Sequence, residues 1–269
     1  MNEVTVQAGS AILSGNLTVP DGAVALVLFA HGSGSSRHSP RNQFVARRLN
    51  DAELATLLFD LLTPDEEAID LRTREHRFKI RLLAQRLRHA TKWAKQQAQT
   101  RALRFGYFGS STGGAAALVA AAELPDDVDA IVSRGGRPDL AGGALPKVQA
   151  PTLLVVGGND DIVIELNEHA RDQMRCEVKL EIIPGATHLF EEPGALEQVA
   201  NLASDWFVLH ISANPRTDCH SERSEEPHNR SSRQPDLSCD GAATHLGNVR
   251  ENRSGRLRFP IARETTVGV

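Results

Sequence analysis

Ser111 stands at the centre of Gly109-Ser110-Ser111-Thr112-Gly113. That stretch closes an apolar run, Leu103–Phe108, and opens a helix of small residues, Ala115–Ala122. G-x-S-x-G between a strand and a helix is the pattern of a nucleophile elbow, a sharp turn that holds a hydroxyl clear of the backbone at the strand's carboxyl end. The flanking glycines leave room where a side chain would collide with the neighbouring strand or helix. A serine hydroxyl is a poor nucleophile near neutral pH, so it needs a base within hydrogen-bond reach and a third group to orient that base. Enzymes with such an elbow carry these partners in the order Ser, Asp, His. Here Asn159-Asp160-Asp161 follows the apolar run Pro151–Gly158, and His188 follows Val178–Ile183 and Pro184-Gly185-Ala186-Thr187. Each candidate lies just past a predicted strand, where a rigid sheet can fix a loop residue. Ser111 as nucleophile, His188 as base and an aspartate as orienter predict cleavage of an acyl bond through an acyl-enzyme. Ser110, at the x position, is expected to point away from the site. His169 and His210 fall on predicted helices and fit the role of base less well.

The elements that must hold these residues alternate between strand and helix. Val4–Gln7 and Ala11–Val19 alternate as an antiparallel edge pair. Ala23–Ala30, Ala55–Asp60, Leu103–Phe108, Asp129–Ser133, Ala150–Gly157 and Val178–Ile183 read as further strands, with Ala23–Ala30 apolar throughout and so buried on both faces. Helices are predicted over Arg41–Asn50, Thr73–Gln97, Val163–Met174 and Leu196–His210, with Leu61–Leu71 as an acidic loop. The fold class is therefore α/β, a mostly parallel twisted sheet of about eight strands with helices on both faces. Only roughly 17 residues separate Ser133 from Pro151, a loop-scale length that predicts no large lid domain and an open, shallow site.

An acyl transfer also needs backbone donors for the developing oxyanion. One is expected from Thr112, directly after the nucleophile, and the other from Ser33 or Gly34 in the loop His31–Ser36 after strand Ala23–Ala30. The glycines of that loop lack the Gly-Lys-Ser/Thr ending of a phosphate-binding loop. His38, Arg41, Arg134 and Arg137 lie on loops at the same edge and suit an anionic substrate, with pairing to Asp139 or the acidic loop as the competing use.

The chain has 269 residues, a formal charge of −4 and 41% hydrophobic content, enough for one sizeable core. The charge balance and the scarcity of aromatics argue against nucleic acid, even though Thr73–Gln97 carries a basic face. No apolar run approaches the roughly 20 residues of a membrane span, and Met1-Asn2-Glu3-Val4 has no signal-peptide character. The three cysteines, Cys176, Cys219 and Cys239, make no metal spacing and fit a reduced, cytoplasmic setting. The expected partner is a small-molecule acyl substrate, with no metal and no organic cofactor. Residues 1–211 form the predicted hydrolytic domain. Residues 212–269 turn polar, without apolar period, and are predicted to be a disordered tail. Within it Cys219-His220-Ser221-Glu222-Arg223-Ser224-Glu225-Glu226 looks like the translation of a repetitive bacterial DNA element.

With these residues in view the chain resembles the α/β-hydrolase superfamily, in its dienelactone-hydrolase-like branch. The resemblance rests on Phe29–Asn42, the elbow, Ser133-Arg134-Gly135-Gly136-Arg137-Pro138-Asp139-Leu140, Val156–Asn167 and Pro184–Gly194, and runs from about Val4 to His210. These stretches are similar to the hydrolase domain that some bacteria fuse to a phosphoribosyltransferase-like domain, of which no part is recognised here. The resemblance implies an α/β-hydrolase fold and favours Asp160 over Asp161 as the triad acid. True dienelactone hydrolases carry cysteine where this chain has Ser111, so an ester or lactone is implied as substrate class rather than dienelactone itself. An acyltransferase or peptidase with the same triad, or a ligand-binding protein that keeps the fold, are the alternatives.

Overall fold

A computed structural model describes residues 2–212. The tail expectation, Ser212 aside, lies outside the described residues. Eight strands form one open sheet: β1 (Asn2–Ala8), β2 (Ala11–Thr18), β3 (Ala25–Ala30), β4 (Leu54–Phe59), β5 (Arg104–Ser110), β6 (Ala130–Arg134), β7 (Thr152–Gly157) and β8 (Val178–Ile183). They run in the order β1-β2-β4-β3-β5-β6-β7-β8. β1 pairs with β2 and β2 with β4 antiparallel, and every other pair is parallel.

The order reverses at β3. From there the chain steps outward to β4, then crosses back to β5 and proceeds through β6 and β7 to β8. Open parallel sheets bind their ligands in the crevice at such a switch point, beyond the carboxyl ends of the strands. Here that crevice lies between the loop after β3 and the turn after β5, which carries Ser111.

β3 to β7 are apolar along almost their whole length, because helices cover both faces. Alternate residues feed two cores. Leu26, Leu28, Leu57, Phe59 and Tyr107 pack beneath α3 (Ile80–Ala94), α4 (Thr112–Glu123) and α5 (Asp161–Gln173). Val27, Phe29, Leu58, Phe108 and Val132 face α1 (Pro40–Asp51) and α6 (Ala195–Phe207). The small residues of α4 let it sit close to the sheet at the elbow. A Cβ on Gly113 would overlap the Ala30 carbonyl oxygen, and one on Gly109 would fall 2.5 Å from Gly113 O. Both elbow glycines are thus required by the approach of α4 to β3 and β5.

Two expectations change. The acidic loop contains a helix, α2 (Pro64–Thr73), and the long helix Thr73–Gln97 shrinks to α3. Thr63 caps α2: its hydroxyl accepts from Glu66 N–H while the Glu66 carboxylate accepts from Thr63 N–H. Thr63-Pro64-Asp65-Glu66 is a capping-box sequence with proline at the first helical position. Arg74 in the left-handed region (φ 58°) ends α2 and breaks the longer helix. Between β6 and β7 the chain makes short 3-10 turns over Pro138–Lys147, kinked at Gly142, and no lid domain. No helix among the described residues is long and apolar enough to cross a membrane.

Candidate active site

Ser111 has φ 51° and ψ −122°, a conformation that L-residues adopt only under constraint. It sits at the N-cap position of α4, yet its side chain makes no capping bond. The turn is pinned by its backbone: Ser111 N–H donates to Arg134 O, and Ser111 O accepts from Gly114 N–H and Arg137 N–H. Gly32, just after β3, packs on it so closely that a Cβ there would meet Ser111 Cβ at 3.1 Å. Ser110, the rival serine, is buried as the last residue of β5.

The loops after β7 and β8 are stapled together. Gly158 N–H donates to Ile183 O at 2.8 Å, Asn159 N–H to Ala186 O at 2.9 Å, and the Asn159 side chain to Gly185 O at 2.9 Å. Gly157 allows this, since a Cβ there would fall 2.5 Å from Ala186 O. The result brings Asp160 Oδ2 to 2.7 Å from His188 Nδ1. Asp161, one residue on, is exposed in the first turn of α5. His188 is half-buried and its Asp160 contact fixes the ring, leaving Nε2 for a second partner. The imidazole edge faces Gly135, where a Cβ would meet His188 Cε1 at 3.5 Å. Gly135 directly follows Arg134, whose carbonyl holds the Ser111 backbone. Ser111 and His188 thus flank one short segment. The Ser111 hydroxyl has no hydrogen-bonded partner among the described residues. Catalytic hydrogen bonds are often long before substrate binds.

The backbone N–H groups of Ser33, Gly34 and Thr112 meet no acceptor among the described residues. Ser33 Oγ lies 3.0 Å from Thr112 Oγ1, which joins the two halves of this donor cluster. His31 fixes the start of the loop. Its Nδ1 lies 3.0 Å from Gly32 O, so Nδ1 carries the proton, and Nε2 accepts from Leu61 N–H at 3.0 Å. Burial pushes the His31 pKa below the usual histidine range and keeps the ring neutral.

The four basic candidates part company. Arg137 is held by both oxygens of Asp139, and this pairing raises its pKa. Arg41 donates to Glu191 at 3.0 Å, and His38 is exposed. Arg134 is 7% exposed, and its Nε and Nη1 have no hydrogen-bond partner among the described residues. Burial, and then the nearby Arg41 charge, lower its pKa to about 10, so it stays protonated at neutral pH. Its guanidinium carbon lies 6.0 Å from the Phe190 ring centroid, two residues beyond His188. The sequence offers Asp139 as a partner for any of these arginines, and the structure gives it to Arg137, two residues away, leaving Arg134 without a carboxylate.

Residues 23–205 match a family described as alpha/beta hydrolase domain. The chain belongs to that family. A solved dienelactone hydrolase from Anabaena variabilis is 61% identical to this α/β-hydrolase, with a TM-score of 0.77 over 78% of this chain and 97% of that one. Est1E from Butyrivibrio proteoclasticus shares the fold at 18% identity, with a TM-score of 0.67 over 79% of this chain and 100% of that one. A curated relative from Mycobacterium tuberculosis, described as a putative phosphoribosyl transferase, is 57% identical over 209 residues. Those residues are 78% of this chain and 46% of the relative, so the chain spans about half the length of that protein. The fold is that of a dienelactone-hydrolase-like enzyme of hydrolase type.

Proposed function

We propose that this α/β-hydrolase is a serine hydrolase of carboxylic esters or lactones, with Ser111, His188 and Asp160 as its triad. The observation that carries the reading is the 2.7 Å contact of Asp160 with His188 Nδ1, which leaves Nε2 to serve a serine on a strained elbow. His188 Nε2 takes the hydroxyl proton as Ser111 Oγ bonds to the acyl carbon. The carbonyl π electrons move to oxygen, and the N–H groups of Thr112 and of Ser33 or Gly34 receive the oxyanion. Collapse of the adduct breaks the bond to the leaving alcohol, which takes the proton from His188. Water then repeats the sequence and frees Ser111 with a carboxylic acid as product. The hydrolase reading applies to the half of the Mycobacterium tuberculosis relative that this chain matches, and no transferase chemistry is drawn from that protein's name. A fluorophosphonate probe tests the reading. It should modify Ser111 in the wild type and nothing in Ser111→Ala. A folded protein that stays unlabelled would instead be a ligand-binding member of the fold.

Arg134, with Nε and Nη1 unpaired among the described residues, gives this site a preference for acyl groups with an anionic substituent. Arg137 is not assigned that role, because Asp139 occupies its guanidinium. A hydrogen bond to a charged group contributes roughly 1.5–3 kcal/mol. Arg134→Gln should therefore lower the kcat/KM preference for p-nitrophenyl hemisuccinate over p-nitrophenyl acetate by about tenfold or more. An unchanged ratio would return Arg134 to a purely structural role.

A further inference from the structure

α2 is attached to the molecule in an unusual way. Of its ten residues only one is buried, and that residue is the carboxylate Asp70, 3% exposed. No apolar stripe holds this helix down. Asp70 instead collects hydrogen bonds from the segment that follows. Its Oδ1 accepts from His76 N–H at 2.7 Å and Arg77 N–H at 2.8 Å, and its Oδ2 accepts from Arg77 Nε at 2.7 Å. Arg77 Nη2 also donates to Asp70 O at 3.2 Å. Burying a carboxylate carries a desolvation cost, yet here the hydrogen bonds from Arg77 and His76 outweigh it and hold the Asp70 carboxyl below the usual carboxylate range.

What the pair holds is the loop after β3. The Arg77 carbonyl faces Ser33 Oγ at 3.4 Å, and a carbonyl only accepts, so Ser33 is the donor. The Ser33 oxygen is then free to accept from Thr112 Oγ1 at 3.0 Å. The bonds run one way, from the residue after Ser111, through Ser33, to the backbone that Asp70 fixes. On the next residue the Arg77 guanidinium lies against Gly34, where a Cβ would meet Nη1 at 3.4 Å and φ is +66°. His31, Ser33, Asp70, Arg77 and Thr112 line one small cavity between α2 and the elbow.

We propose that Asp70 and Arg77 are positioning residues of the oxyanion hole, holding Ser33 against Thr112 so that their backbone N–H groups converge on one point. The proposal rests on the serine-hydrolase reading. The hole stabilises charge that exists only in the transition state, so a loosened hole lowers kcat and leaves KM nearly alone. The test is a double-mutant cycle on p-nitrophenyl acetate with Asp70→Asn, Ser33→Ala and the pair. Each single variant should lose about tenfold in kcat, with KM within about twofold and phenylboronic acid binding weakened in parallel. The double variant should be no slower than the slower single one, since both changes break one chain of bonds. If Asp70→Asn does not fold, Arg77→Met replaces it in the same cycle, and Arg77→Lys should recover part of the lost kcat. A wild-type kcat in Asp70→Asn overturns the proposal. So do losses that multiply to about a hundredfold in the double variant, or an effect confined to KM. Ser111→Ala is the separate control. Turnover that survives it overturns the serine-hydrolase reading, whereas a silent Ser111→Ala beside a fully active Asp70→Asn overturns the positioning role alone.

Discussion

Ser111→Ala should lower ester turnover by on the order of 10⁶-fold while leaving the melting temperature almost unchanged, and Ser111→Gly should be equally inactive but more stable than the wild type. The activity loss follows from removing the proposed nucleophile, since the remaining donors and base can assist only the slower attack of water. The stability contrast follows from the backbone. Ser111 holds φ 51° and contributes no capping hydrogen bond to α4. Its side chain therefore gives the fold nothing that alanine would lose, and alanine inherits the same strained turn. Strain of this kind costs about 1–3 kcal/mol in a non-glycine residue. Glycine removes it at an entropic cost of roughly 0.5–1 kcal/mol. The net gain is of order 1 kcal/mol, or about 2–4 °C in a domain of this size. Activity assays and thermal unfolding on the same preparations decide the matter. A Ser111→Ala protein that still turns over would remove Ser111 from the chemistry. A Ser111→Gly protein less stable than Ser111→Ala would show that the elbow is not strained.

The parts of this site that a single sequence discloses are those governed by local rules. The apolar run, the glycines at 109 and 113 and the small residues of α4 announce an elbow because the tight turn itself demands them, as where a Cβ on Gly109 would meet the backbone of Gly113 and Gly114. The β3 run and its glycine-rich loop are legible for the same reason. The helix α2 was legible too, through Thr63-Pro64-Asp65-Glu66, but the acidic residues after it read as a solvated loop and masked the cap. Pairings between distant segments are not legible. Arg77 meeting Ser33 across 44 residues depends on where the sheet sets down the loop after β3. The Arg137–Asp139 pair, two residues apart, was within reach of a sequence reading, whereas the burial of Arg134 beside Phe190 was not. The reading of Thr73–Gln97 as one helix failed at a single left-handed residue, Arg74, which no hydrophobic period registers.

The choice between neighbouring aspartates is the sharpest case, and it yields the second large effect. Asp160→Asn should reduce kcat by about 10⁴-fold, and Asp161→Asn by no more than a few-fold. Asp160 Oδ2 accepts from His188 Nδ1–H, which obliges Nε2 to be the lone-pair nitrogen that can take the serine proton. An asparagine at 160 can instead donate its amide N–H to Nδ1. The imidazole then carries its proton on Nε2 and cannot act as a base towards Ser111. The ring keeps its place in that variant, so the fold and substrate binding survive while proton transfer fails. Asp161 has no such hold on the ring: it is exposed in the first turn of α5, where its charge complements the helix dipole and is worth a few tenths of a kcal/mol to stability. The rate of fluorophosphonate labelling should follow the same order, because the probe also needs an activated Ser111. The stapled loops after β7 and β8 are what make the one-residue difference decisive, by fixing Asn159 to Ala186 and Gly185 and so turning residue 160, and not 161, towards the imidazole. A larger loss in Asp161→Asn than in Asp160→Asn would mean that those loops rearrange when substrate binds.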